Sequence, residues 1–350
     1  MATIAESANT QTSRPRQEGY PVATPRFEFV YTILSVLLIT GLFVDGWAHF
    51  HGRVDTSFFT PWHFIFYSAF ALLAGYLALN RLRNAAQGHA LAQSLPEGYR
   101  LALHGAILFA AGGVGDMIWH TLFGIESGSD ALLSPTHLML AIGMGLIVTA
   151  PIRSLWVRSQ NGEALRGWRT FFSAICGAAL LLALIMFFLS YAHPFVNPAI
   201  SPAYRSERVG SRTLIQDYGV ASFLLQAAVL SGIILPLLRR WRLPFGAITF
   251  MIGLSSLMLV TLVDLYILLP GILVGALVCD FLAQRINIQS EGKESLLFAF
   301  LLPWGYFVPY VITAWLTYGI AWNVHVWTGV LFLSGLVGVL VMLVSAPHTR

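Results

Sequence analysis

Residues 27–63 read FEFVYTILSVLLITGLFVDGWAHFHGRVDTSFFTPWH. An apolar run of about 20 residues covers the hydrocarbon core of a bilayer, so residues 27–50 predict a transmembrane helix. The end of the run is unusual for one. Asp45 and His49 sit in its last two turns, where an ionisable side chain costs about 2.5–3.5 kcal/mol on insertion scales and therefore marks a functional site. A short loop with Arg53 and Asp55 follows, and Thr60-Pro61-Trp62-His63 opens the next apolar run.

Outward from this hairpin the same kind of run recurs. Ten spans are expected, at 27–50, 60–82, 99–123, 134–157, 169–191, 213–238, 244–263, 265–286, 294–318 and 322–345. Between Pro244 and Ile286 the reading is a tight hairpin around Asp264 to Pro270, in preference to one span plus a re-entrant piece. The fold class is all-α, a polytopic membrane bundle of about ten transmembrane helices. Composition agrees: 57% of residues are hydrophobic and 10% charged, with a mean hydropathy of +0.71, whereas soluble domains carry about 25% charged residues. The net charge of +4 comes from nineteen arginines and Lys293. These punctuate apolar runs and form no dense stripe, which excludes a nucleic-acid binder. Cys176 and Cys279 lie inside apolar runs, so neither a disulfide framework nor a cysteine metal site is available.

Three regions follow. Residues 1–26 are polar and proline-bearing and read as a disordered cytoplasmic tail, without the apolar core and cleavage site of a signal peptide. Residues 27–157 hold two metal-binding hairpins, and 158–350 form an additional helical region. Across ten spans, sixteen Lys and Arg fall on the side of both termini and four (Arg53, Arg205, Arg208, Arg212) on the other. This predicts a multi-pass protein of the cell (inner) membrane with both termini cytoplasmic. The loop over residues 192–212 reads as irregular.

The second hairpin repeats the first. Asp45 and His49 recur 71 residues later as Asp116 and His120, and His63 recurs after 74 as His137, within Ser134-Pro135-Thr136-His137. Asp and His at i and i+4 share one helix face. In the following helix Thr60 or Ser134 is the expected N-cap, proline takes the first position, and histidine the third. Each hairpin thus brings one carboxylate and two imidazoles together, at the same outer end. Two imidazoles and a carboxylate suit copper, zinc, non-haem iron or nickel, and residue type does not choose among them. Three protein ligands leave a position open, the catalytic arrangement. Asp55 and Asp130 precede the capped starts and can orient a histidine or hold a loop arginine such as Arg53. His325, placed at the same level by the span count, is read as a further ligand or an orienting donor, against a plain interfacial histidine. Trp47, Trp62 and Trp119 read as interfacial anchors, and Asp280 as the partner of an arginine such as Arg285.

The first hairpin resembles the metal-binding segment of the C subunit of the particulate methane and ammonia monooxygenase family. The resemblance rests on Asp45, Gly46, His49, Arg53, Asp55, Thr56, Thr60, Pro61 and His63, with Phe66 and Tyr67 behind. It covers residues 45–140; Asp116 stands where that family has Asn. The resemblance implies copper at Asp45, His49 and His63 on the outer side, and a second cluster at Asp116, His120 and His137. It implies a membrane monooxygenase, with zinc or iron as lesser choices of metal, dioxygen and a small apolar substrate as reactants, and partner subunits or a homo-oligomer. It does not carry activity on methane or ammonia to this chain. Two other classes fit the ligand types: a copper or zinc binding and delivery protein at the outer face, and a di-haem carrier. Paired Asp-x3-His serves no purpose in bis-histidine haem ligation.

Overall fold

The computed structural model describes residues 18–53, 57–126, 128–204, 211–290 and 292–345, and among these every regular element is helical. The helices are α1 (Pro25–Phe50), α2 (Pro61–Ala86), α3 (Arg100–Phe123), α4 (Ser129–Leu133), α5 (Pro135–Val148), α6 (Ala150–Gln160), α7 (Gly167–Phe188), α8 (Arg212–Arg240), α9 (Ala247–Thr261), α10 (Leu269–Arg285), α11 (Lys293–Thr317) and α12 (Val324–Val344). Nine segments of the described chain are long and apolar enough to cross a membrane, α5 and α6 together making one of them. The protein is an all-α polytopic bundle.

The starts follow from capping chemistry. Thr24, Thr60, Ser211 and Asn323 each accept a backbone N–H of the first turn, satisfying a donor that has no partner within the helix. Pro25, Pro61 and Pro135 open their helices, where the missing N–H costs nothing. Pro151, one residue inside α6, marks the break that separates α6 from α5 at Thr149.

The seventh expected span, 244–263, is shorter than its fellows. Residues 247–261 form α9, about 22 Å long at 1.5 Å per residue. α9 turns into α10 at Asp264, which adopts a left-handed φ of 55°, and the two helices pack together. The stretch thus folds as a helical hairpin, whose first arm is shorter than the nine membrane-length segments. Among the described residues Asp280 does not pair with an arginine as the sequence suggested. It reaches from α10 to the start of α9, where Ile248 N (3.1 Å), Thr249 N (2.7 Å) and Thr249 Oγ1 donate to its carboxylate. α9 begins at left-handed Gly246 with no cap from its own sequence, so a neighbouring helix supplies one.

Packing places the ends that matter. α3 lies tightly on α5 because a Cβ at Gly105 would meet Gly143 O at 2.7 Å, and one at Gly143 would meet Gly105 O at 2.8 Å. Small residues allow such backbone approach between membrane helices. α1 packs on α2 and α7, and at Gly46, next to Asp45, a Cβ would run into the Phe187 ring. At the opposite end Glu28 of α1 receives Ser154 Oγ (2.7 Å) and lies 3.4 Å from Arg158, which fixes α1 to α6. In the second half α8, α11 and α12 form one layer, joined to α9 through α10.

Candidate metal centre

The C-terminal ends of α1 and α3 and the N-terminal ends of α2 and α5 meet at one end of the bundle. They assemble two groups able to hold a metal ion, Asp45, His49 and His63 in one, Asp116, His120 and His137 in the other, each with ligand atoms within 4.8 Å of one another. In the first, Asp45 lies 3.5 Å from His63 Nε2 and 3.9 Å from His49 Nε2. In the second, Asp116 Oδ1 lies 3.4 Å from His120 Nε2 and 3.0 Å from His137 Nε2. Two ligands about 2.1 Å from one ion at a tetrahedral angle stand roughly 3.4 Å apart, so the spacings fit a first-row metal.

The imidazoles are held by their other nitrogen. His63 Nδ1 is 2.5 Å from Phe58 O and His120 Nδ1 is 3.2 Å from Gly124 O. A carbonyl only accepts, so both Nδ1 atoms carry the proton. His137 Nδ1 lies 2.8 Å from Ser134 Oγ and 3.5 Å from Glu126 Oε2. In the neutral ring His63 and His120 then turn a bare Nε2 toward a carboxylate, acceptor against acceptor. A cation between them resolves that conflict, and fixing the tautomer through Nδ1 is how proteins orient histidine ligands. The buried Asp45 Oδ1 and Glu126 Oε2 have no hydrogen-bond partner among the described residues, again a surplus of negative acceptors. The residues present thus fit a divalent metal.

The two halves of the repeat are not equivalent. Thr60 caps α2 as its position predicts, accepting His63 N at 3.1 Å. Ser134 holds the matching place but turns its hydroxyl to the His137 ring, and makes no backbone cap. Asp116 is further braced by Thr136 Oγ1 (3.1 Å) and Tyr67 OH (3.4 Å). Its side chain is 1% exposed against 15% for Asp45, and His120 is 4% exposed against 28% for His49. The sites are neighbours: the His63 and His120 rings lie 6.5 Å apart, nearly parallel. Both triads line a single cavity of about 1080 Å³, whose other walls include Leu42, Phe66, Met144, Phe187 and Val263.

The remaining candidates divide. Asp55 lies outside the described residues. Arg53 reaches the face of Trp47, 5.2 Å from its ring centre, and its carbonyl receives Trp62 Nε1 at 2.9 Å, so it shapes the loop. Asp130 is exposed on α4. Glu126 stands in the orienting position instead, receiving Trp119 Nε1 at 2.5 Å beside His137; an acidic residue in the connecting loop was the only signal for it. His325 is exposed at the start of α12, which packs chiefly on α8 and α11. His51 has a partner that spacing did not reveal. Its Nδ1 is 2.8 Å from Trp47 O and its Nε2 2.8 Å from Asp264 Oδ2, a carbonyl and a carboxylate that together hold its pKa above the usual imidazole range. The contact ties the α9–α10 turn to the first hairpin. His193 is fully buried beyond α7, with Phe195 N donating to Nδ1 (3.1 Å) and Tyr306 OH 3.4 Å from Nε2; burial pushes its pKa down to about 3.

Two metal-competent triads in a chain with nine membrane-length apolar segments fit a membrane metal-binding protein. Comparison with protein-family models, with curated proteins and with solved structures returns no match for this chain.

Proposed function

We propose that the protein is a copper-dependent membrane oxidoreductase of the monooxygenase type, with both triads at the outer face and both termini in the cytoplasm. The observation that carries this reading is the shared cavity: two three-ligand sites open side by side onto one chamber whose other walls are mainly apolar. The resemblance of residues 45–63 to the monooxygenase C subunit supports copper, and the Lys and Arg asymmetry supports the orientation. A copper ion with an open position would supply the activation of dioxygen. The chain's own residues orient the candidate ligands and shape the chamber. Phe58 and Gly124 carbonyls fix the His63 and His120 rings, Tyr67 and Thr136 hold Asp116, and Phe66, Phe187 and Val263 give the chamber apolar walls. Delivery of a metal calls for ligands leading away from the site, and among the described residues the two triads are the groupings found.

Metal analysis with electron paramagnetic resonance on the purified wild type, His63→Ala and His137→Ala tests the proposal. About two equivalents of copper are expected, one fewer in each variant. Zinc, or no bound metal, overturns it.

A further inference from the structure

At the end of the bundle opposite the triads a second, smaller cavity of about 390 Å³ lies between the start of α3 and α6. Its lining carries two permanent cations, Arg100 and Arg153, with His104 beside them and Glu97 as the acid. The acids nearby are already committed. Glu28 and Glu163 both pair with Arg158, at 3.4 and 2.5 Å, whereas Arg100 and Arg153 have no carboxylate within 4.0 Å among the described residues. A third guanidinium, that of Arg240, lies 4.5 Å from the centre of the Trp156 ring, which also lines the cavity.

The donors of these arginines are not used up. Arg153 is held by neutral acceptors: Nε donates to Gly98 O (3.1 Å), Nη1 to Thr149 Oγ1 (2.6 Å) and Nη2 to Leu146 O (2.7 Å). A guanidinium has five N–H groups, so one is left on each terminal nitrogen. Arg100 gives one N–H to Tyr20 OH (2.8 Å) and is otherwise exposed. Excess positive charge selects an anion, and forked donors select an oxyanion such as phosphate.

The apolar surroundings decide which phosphate. Leu101 and Trp156 stand at the rim, 47% and 44% exposed. From His104 one face of α3 runs on through Ile107, Ala111 and Ile118, all exposed, at the i+3, i+7 and i+14 spacing of a single stripe. A free anion gains nothing from that stripe; an acyl chain does. We infer that the cavity binds the headgroup of an anionic phospholipid, with its phosphate on Arg100 and Arg153, its glycerol against Trp156 and a chain along α3. Basic pockets between transmembrane helices are seats for such headgroups. Arg153 already joins α6 to the end of α5 and to the turn before α3, so the lipid ties the far ends of the two helices that carry the second triad. The inference is independent of what the triads bind.

The test places the full-length protein in nanodiscs of phosphatidylcholine and phosphatidylglycerol with matched acyl chains and reads retained lipid by native mass spectrometry. One phosphatidylglycerol per chain is expected to survive release, in preference to phosphatidylcholine. Arg100→Gln with Arg153→Gln should lower that retention about tenfold. Should the double variant not fold, Arg100→Gln decides alone, with a loss of about fivefold, because its side chain is exposed. Arg285→Gln removes an equal charge on α10, where the guanidinium lies over Phe281, and should leave retention unchanged. Equal retention of the two lipids, or an equal loss in Arg285→Gln, overturns the proposal. Displacement of the lipid by excess inorganic phosphate overturns it too, since the cavity would then be a site for the free anion.

Discussion

Asp45→Asn discriminates between a metal ligand and an ordinary ion-pair partner, because the two roles predict opposite signs. The amide has the carboxylate's shape but carries no charge, and its N–H can donate. In metal-free protein the substitution removes the clash between Asp45 Oδ1 and the bare His63 Nε2, 3.5 Å away, and places a donor against that acceptor. One hydrogen bond contributes about 0.5–1.5 kcal/mol, so the metal-free variant should unfold at or above the wild-type temperature. In metal-loaded protein the change weakens the site. A metal held at about 100 times its dissociation constant stabilises the folded state by about 2.7 kcal/mol, and most of this should vanish at the same free metal concentration. The assay is thermal unfolding of both proteins with chelator and with added copper. A variant destabilised equally in the two conditions would refute the reasoning and make Asp45 the partner of charged imidazoles.

Four further outcomes are expected. Gly143→Ala pushes against backbone atoms at Gly105 and Phe109, costing about 1–3 kcal/mol of overpacking; it should lower metal content at the Asp116 triad while the Asp45 triad stays loaded, as spectroscopy of His63→Ala and His137→Ala backgrounds would show. Asp280→Ala strands two backbone donors at the start of α9 and should cost about 2–4 kcal/mol, seen as a lower unfolding temperature with unchanged metal content. His193 is neutral in the folded protein down to about pH 3, whereas its unfolded form takes up a proton below about 6.5. The unfolded state therefore binds more protons between these values, and stability falls with pH through that window, by about 2 kcal/mol at pH 5. No charged group offsets this among the described residues, so His193→Gln should flatten the slope in unfolding measured from about pH 7 to about pH 4.5. Glu126→Gln leaves the His137 ring on Ser134 alone and should loosen the second triad's metal about 10- to 100-fold in a chelator competition.

The helices could be read from the sequence because each is set locally, by an apolar run, a capping Thr, Ser or Asn, and proline at the first position. The candidate ligands could be brought together from sequence for the same reason: Asp-x3-His and Pro-x-His fix a face and a register before any tertiary contact forms. What spacing could not convey was relative position. That the two triads share one chamber depends on Gly105 and Gly143 letting α3 and α5 close together, and on α7 closing against Gly46. Asp280 looked like half of an ion pair because its acceptors are spent on backbone donors 31 and 32 residues away. His325 looked level with the triads because span counting gives height and not lateral distance. Ser134 matched Thr60 in sequence, yet a hydroxyl can serve a ring or a backbone, and only packing chooses.

The unequal depth of the two triads has a kinetic consequence. An ion at Asp45 and His49 faces partly open side chains, while one at Asp116 and His120 sits behind groups almost sealed from solvent. Exchange with the surroundings should therefore be ordered: the Asp45 position empties first under a chelator and equilibrates quickly, and the Asp116 position turns over on the slower timescale of the hairpin breathing apart. One repeated motif, its Asp-x3-His pair enclosed to two different degrees, would then give a labile seat and a retained one.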